Sequence, residues 1–292
     1  MFLILQKLLR KVLIILETIK FEHTVFALPF ALTGALLAKD RVPDLRTLGW
    51  ILVAMIGARS SAMAFNRIVD LRYDMLNPRT ANRALPRGNL KVWEVSAFTV
   101  ISAGVFFFAA WKLNHLAFVL SPVALAVILG YSYTKRFTAL SHLVLGLALG
   151  IAPTAAWIAV TGRLEHAPVI LSIAVMFWTA GFDIIYALQD IEFDREQGLF
   201  SVPAMLGPSK GLVISRVFHI LTPVMLVLFG IVLRLGTIYY VGVVVVAVLL
   251  VYEQALVRPD DYSKVNAAFF TVNGIVSIGY FVFTAVDMVF RR

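Results

Sequence analysis

Apolar stretches of about 20 residues recur along the whole chain, each closed by a polar segment, and that length suits a helix crossing a hydrocarbon layer of roughly 30 Å. The pattern predicts nine spans, over approximately 21–39, 47–66, 92–111, 115–133, 139–160, 168–188, 211–233, 236–256 and 266–288. Runs such as VGVVVVAVLLVY (241–252) do not alternate, so the segments read as helices rather than barrel strands. Ahead of them, Gln6, Lys7, Arg10, Lys11, Glu17 and Thr18 form a polar stripe at helical spacing, which predicts an amphipathic helix over 1–20 lying on the membrane. Lys7, Arg10 and Lys11 interrupt its apolar run and no small-residue cleavage site follows, unlike a signal peptide. The expected fold is all-α and polytopic. An interfacial helix over 1–20 precedes a single nine-helix bundle over 21–292.

Composition agrees. The chain is 60% hydrophobic and 15% charged, far too little charge to cover a soluble domain of 292 residues. It has no cysteine, which excludes disulfides, thiolate metal sites and a cysteine nucleophile. The net charge of +9 suits loops facing anionic headgroups, and equally an anionic substrate. No nucleic-acid-binding pattern accompanies it. With the N-terminus inside, cytoplasmic segments hold 17 of the 26 lysines and arginines, which predicts a multi-pass protein of the inner membrane. The two longest connections, after spans two and six, then face the cytoplasm.

Both of those connections begin with acids. In NRIVDLRYDMLNPRTANRALPRG (66–88), Asn66, Asp70 and Asp74 are four apart and share one narrow helix face. In GFDIIYALQDIEFDREQG (181–198), Asp183, Tyr186, Asp190 and Asp194, three, four and four apart, again share one face, while Glu192 points away. Stacked carboxylates repel one another unless a cation lies between them, and desolvation near the membrane adds to that cost. One acidic helix end alone would read as merely solvated. Two on the same side suggest Mg²⁺, which binds through a few carboxylates and completes its shell with water and phosphate oxygens. Two facing stripes would hold two ions and a diphosphate.

Cations cluster nearby. Arg72, Arg79, Arg83 and Arg87 follow the first stripe, and Lys135 and Arg136 close span four in YSYTKR. Arginine forks and lysine ammoniums suit a diphosphate, although positive-inside bias alone accounts for about half of them. Arg59 is different, because it lies inside an apolar span on the face of Asn66. It either receives a substrate carboxylate or pairs with an aspartate of the stripe. Asn77-Pro78 and Pro86-Arg87-Gly88 bound a loop that acts as a lid or a simple connector. GLALGIAPTAA (146–156) permits a close helix approach or a hinge.

These residues resemble the UbiA superfamily of intramembrane aromatic prenyltransferases. The likeness covers essentially the whole chain: the nine spans, Asn66-x3-Asp70-x3-Asp74 followed by RTANRALPRG, and Asp183-x2-Tyr186-x3-Asp190-x3-Asp194. RTANRALPRG and DIIYALQD are most similar to the 4-hydroxybenzoate polyprenyltransferase branch, and the overall wording also resembles homologues of menaquinone synthesis. The resemblance implies that Asn66, Asp70, Asp74, Asp190 and Asp194 hold two Mg²⁺ on an allylic polyprenyl diphosphate. It implies that Arg72, Lys135 and Arg136 stabilise the leaving pyrophosphate, with Tyr131 and Tyr186 as hydrogen-bond donors. Arg59 would orient the acceptor, a small aromatic acid of hydroxybenzoate or naphthoate type, for a quinone pathway. Asp183 would assist proton loss or support a metal from behind. The implied partners are these two substrates and the bilayer, with no obligate protein partner.

An allylic cation needs a dry pocket and aromatic faces, for which Phe177, Trp178, Phe182, Phe269, Phe270 and Tyr280 are candidates, each also explicable as packing. A long isoprenoid would enter sideways from the bilayer. One rival is a cation-coupled transporter, but its acids would lie near the midplane. The other is a CDP-alcohol phosphotransferase, whose D-x2-D-G-x2-A-R pattern is missing here.

Overall fold

The computed structural model describes Ile14 and residues 26–291, so the helix expected over 1–20 falls, apart from Ile14, outside the described residues. Among them the chain is helical, without a named strand. The elements are α1 (Leu28–Leu37), α2 (Leu45–Val69), α3 (Leu71–Leu76), α4 (Val92–Leu113), α5 (His115–Thr134), α6 (Ser141–Thr161) and α7 (His166–Ala187). After a 3-10 turn (Leu188–Asp190) come α8 (Ile191–Glu196), α9 (Val202–Leu206), α10 (Pro208–Leu233) and α11 (Thr237–Leu256). A π-helical segment (Ala267–Val272) leads into α12 (Asn273–Phe290). Among the described residues, eight helices are long and apolar enough to cross a membrane, making this a multi-pass membrane protein. The span expected first, 21–39, appears among the described residues as the ten-residue apolar helix α1, with residues 21–25 outside them.

Helix ends are set by local chemistry. Asp44 caps α2 through Thr47 N–H at 2.9 Å, and Asn114 caps α5 through Ala117 N–H at 2.9 Å. Gly162, at φ 69°, takes the left-handed conformation that ends α6. Consecutive long helices pack as neighbours from α4 to α7, and α7 passes to α10, α10 to α11 and α11 to α12. α2 lies against α4 and α5, and α1 bridges α6 to α12.

α7 is the most enclosed span. Its Trp178 is fully buried, packs on Phe30 and Phe182 with ring centroids 5.0 Å apart in each case, and donates its indole N–H to Asn273 Oδ1 at 2.6 Å. That satisfied donor is what lets a tryptophan sit in a dry core. The α6–α7 seam is made of small residues. Gly146 and Gly150 lie against the Met176 and Ser172 carbonyls, and Thr154 hydroxyl bonds Ser172 hydroxyl at 2.6 Å. GLALGIAPTAA therefore serves close approach.

Candidate active site

Both acidic stripes break at an aspartate. α2 ends at Val69 and Asp70 adopts φ −90°, ψ 5°; Asp190 adopts φ −111°, ψ 10° after the 3-10 turn. The i,i+4 backbone bonds of the first stripe persist, Asp70 N–H to Asn66 O at 2.9 Å and Asp74 N–H to Asp70 O at 2.8 Å. The second stripe is not one continuous α-helical face, because α7 stops at Ala187 and the turn rotates Asp190 and Asp194 relative to Asp183.

Each of the four aspartates beyond the spans' apolar parts carries a cation of the chain. Arg136 reaches Asp70 at 3.3 Å, and Asn66 Nδ2 donates to the same carboxylate at 2.8 Å. Asp74 accepts from Arg83 at 2.8 Å and from Arg67 at 3.3 Å. Asp190 accepts a fork from Arg79, Nη2 at 2.5 Å and Nε at 3.1 Å, together with Asn77 Nδ2 at 3.1 Å. Lys135 donates to Asp194 at 3.2 Å. Arg79 also gives a hydrogen bond to Tyr186 hydroxyl at 3.0 Å. The loop after α3 thereby meets the end of α7, so the two stripes share one site.

Asp183 turns elsewhere. It is hydrogen-bonded to His142 Nδ1 of α6 at 2.7 Å. Arg72 is exposed and makes none of these ion pairs among the described residues, and Glu192 is exposed as expected. Arg67 and His142 are not marked by the sequence, and Asn77 is marked there only as a loop boundary. Arg67 was legible only as the residue beside Asn66, and His142 had no local signal at all.

A cavity of about 630 Å³ opens from this cluster into the bundle. Arg59, Asn66, Tyr131, Asp183 and Tyr186 line its polar end, and Ile51, Leu113, Ala117 and Leu164 its far end. Phe182, Phe269 and Phe270 form part of its wall, with Phe269 tilted against Tyr186 at 4.3 Å between ring centroids. Of the other aromatic candidates, Trp178 and Tyr280 belong to the core, and Phe177 stacks on Phe218 at 5.7 Å.

The donor set is one of hard oxygens, and no three acids or histidines converge among the described residues. Such a set fits a cation that brings most of its own ligands, as Mg²⁺ does with water and phosphate. Burial pushes the Asp74 carboxyl up to about 6, against the pull of Arg67 and the Thr80 hydroxyl. Burial likewise raises Asp70, opposed by Arg67 and Arg136. Burial alone would lower the Lys135 ammonium, but Asp194, Asp190 and Asp183 outweigh it and hold it above the usual value. A metal competes with protons for a carboxylate, so the charged form that binds is lost as pH falls through the Asp74 value. A metal held by Asp74 should therefore need a higher half-saturating concentration as pH drops below about 6. Metal titrations on either side of that pH check it, and a flat response would contradict it.

Comparison with known proteins follows the same lines. The UbiA prenyltransferase family matches residues 27–275. A 4-hydroxybenzoate octaprenyltransferase of Aeromonas hydrophila is 32% identical over 237 residues, 81% of this chain and 82% of that one. One from Francisella tularensis is 28% identical over 262 residues, 89% and 90% of the two chains. Among solved structures, a UbiA homologue from Aeropyrum pernix superposes with a TM-score of 0.83 at 36% identity, covering 91% of this chain and 98% of that one. An Archaeoglobus fulgidus homologue bound to DMAPP and Mg²⁺ shares the fold at a TM-score of 0.73 and 18% identity, covering 94% and 99%. The chain is thus a member of the UbiA prenyltransferase family, and an enzyme of that class.

Proposed function

We propose that this protein transfers a polyprenyl group from an allylic polyprenyl diphosphate to a small aromatic carboxylate, of the 4-hydroxybenzoate type, in quinone biosynthesis. The observation that carries the reading is the joining of one long apolar cavity to a cluster of four aspartates and five cations. The names of the Aeromonas and Francisella relatives support the acceptor class, and the Archaeoglobus structures bound to DMAPP or GPP with Mg²⁺ support the donor. The proposal includes nine spans with the interfacial helix over 1–20, and the aspartate cluster on the cytoplasmic side of the inner membrane.

Asn66, Asp70, Asp74, Asp190 and Asp194 would hold two Mg²⁺, which neutralise the diphosphate as a leaving group. Lys135, Arg136, Arg67, Arg79 and Arg83 give up carboxylates for phosphate oxygens, a like-for-like exchange of anions. Tyr131 and Tyr186 line the same end of the cavity, and the Tyr186 hydroxyl accepts from Arg79. Exposed Arg72, between Asp70 and Asp74 in sequence, would meet the incoming diphosphate. Arg59, inside the cavity wall, takes the acceptor's carboxylate and orients its ring. The apolar wall excludes water, so the allylic cation is captured by ring carbon rather than hydroxide. Asp183 accepts the proton that the ring then loses.

The test offers purified protein an allylic diphosphate and Mg²⁺, with 4-hydroxybenzoate and a dihydroxynaphthoate side by side. Prenylated product from one ring, lost on chelation, is the expected result. Product from the naphthoate alone would move the protein to a menaquinone pathway. No pyrophosphate release with either ring would overturn the reading, and cation flux in liposomes would then identify a transporter.

A further inference from the structure

We propose that His142 is the positioning residue for Asp183, holding that carboxylate in the cavity wall as the acceptor of the ring proton. The inference rests on the prenyl-transfer reading above. His142 lies on α6 with its side chain 1% exposed, and Asp183 on α7 keeps 18% of its side chain open. The ring nitrogens have fixed roles. Val202 N–H, in the first turn of α9, points at His142 Nε2 at 3.2 Å, and a backbone N–H can only donate. Nε2 is therefore the bare nitrogen and Nδ1 carries the proton, which it donates to Asp183 Oδ2 at 2.7 Å.

That arrangement decides where the proton goes. Oδ2 is committed to His142, whereas Oδ1 accepts no hydrogen bond among the described residues and Asp183 lines the cavity. When the ring has bonded to the prenyl carbon, its C–H bond breaks. The electron pair restores the aromatic ring and the proton passes to Asp183, leaving a neutral carboxylic acid that returns it to water as product leaves. His142 cannot take the proton onward, because Nε2 is occupied. Its contribution is aim: by holding Oδ2 it fixes the carboxylate's rotation in the cavity wall and leaves Oδ1 free to meet the ring proton.

The same histidine ties this to the diphosphate end. Between the end of α8 and the first turn of α9, Leu199 N–H bonds Asp194 O at 2.8 Å, Phe200 N–H bonds Lys135 O at 2.7 Å and Val202 N–H bonds His142. Three anchors within four residues hold one short segment against Asp194, Lys135 and the Asp183–His142 pair. No residue of this segment would be chosen from sequence as part of a site.

Two variants test the role. Gln offers an amide N–H and a carbonyl at the spacing of the two ring nitrogens, so His142→Gln can donate to Asp183 and accept from Val202. His142→Leu can do neither. With detergent-purified protein, allylic diphosphate and the acceptor that the wild type uses, His142→Leu should lower kcat about 10²-fold or more, with the donor's KM within a few fold. His142→Gln should recover most of that loss. In an Asp183→Asn background, His142→Leu should add little, because its effect runs through the carboxylate. A Leu variant that turns over like the wild type overturns the proposal. So does a Gln variant as poor as Leu, or a loss that adds fully to Asp183→Asn, since each marks a packing role. A wild type inactive with every ring would instead refute the prenyl-transfer reading.

Discussion

Replacing Asp190 with alanine should lower kcat/KM by about 10³-fold or more, the scale of losing one preorganised charge at a reacting centre. The size follows from what converges on that carboxylate. Asp190 is buried, takes both arms of the Arg79 fork, and receives Asn77 from the loop after α3. Alanine removes an oxygen pair proposed to hold metal and also frees the contact that closes the first stripe's loop onto the second. Asp190→Glu keeps the charge and displaces it by one methylene, so its loss should be smaller but still large. Steady-state kinetics with Mg²⁺ titration read both effects, since a lost ligand raises the metal requirement as well as lowering the rate. An alanine variant within tenfold of wild type would remove Asp190 from the site.

The second large effect falls on a residue with no side chain at all. A Cβ built on Gly146 would strike the Met176 carbonyl, and a backbone group in the middle of α7 cannot step aside. Gly146→Leu should cost about 3 kcal/mol, enough to deplete folded protein, because the α6–α7 seam must open along its length. Activity should fall with it, since His142 and Asp183 face each other across that seam. Gly104→Ala is the control: nothing lies within 4 Å of its added carbon, so it should leave the melting temperature unchanged or raise it. Thermal unfolding in detergent compares the two. Equal melting curves would show that the seam tolerates a side chain.

The spans were readable because membrane thickness fixes both length and composition. The window over 168–188 lands within two residues of α7 (His166–Ala187) at each end. Rotation about each axis was not readable where every residue is apolar, which is why Trp178 and Tyr280, offered for the cavity, sit in the core. The aspartates declared themselves through four-residue spacing. Their partners did not, because ion pairs such as Arg79 with Asp190 join residues 111 positions apart. The breaks at Asp70 and Asp190 were also hidden: both sequences suit a continuous helix, and tertiary contacts override that local preference. The π-helical turn that presents Phe269 and Phe270 to the cavity likewise leaves no mark in composition.

The position of α1 carries a consequence for biosynthesis. Phe30 stacks on Tyr280 of α12 at 5.3 Å, and Arg291, just past α12, pairs at 2.7 Å with Asp40, just past α1. The same end of α12 holds Asp287, whose carboxylate takes the orphan N–H groups of Gly236 and Tyr239 at the start of α11. One of the first helices made is thus completed by the last, some 250 residues of translation later. Until α12 emerges, the start of α11 lacks its cap and Phe30 lacks one face of its packing. A nascent chain must wait in the membrane half-closed, and a ribosome that stalls before codon 273 delivers a bundle that cannot lock.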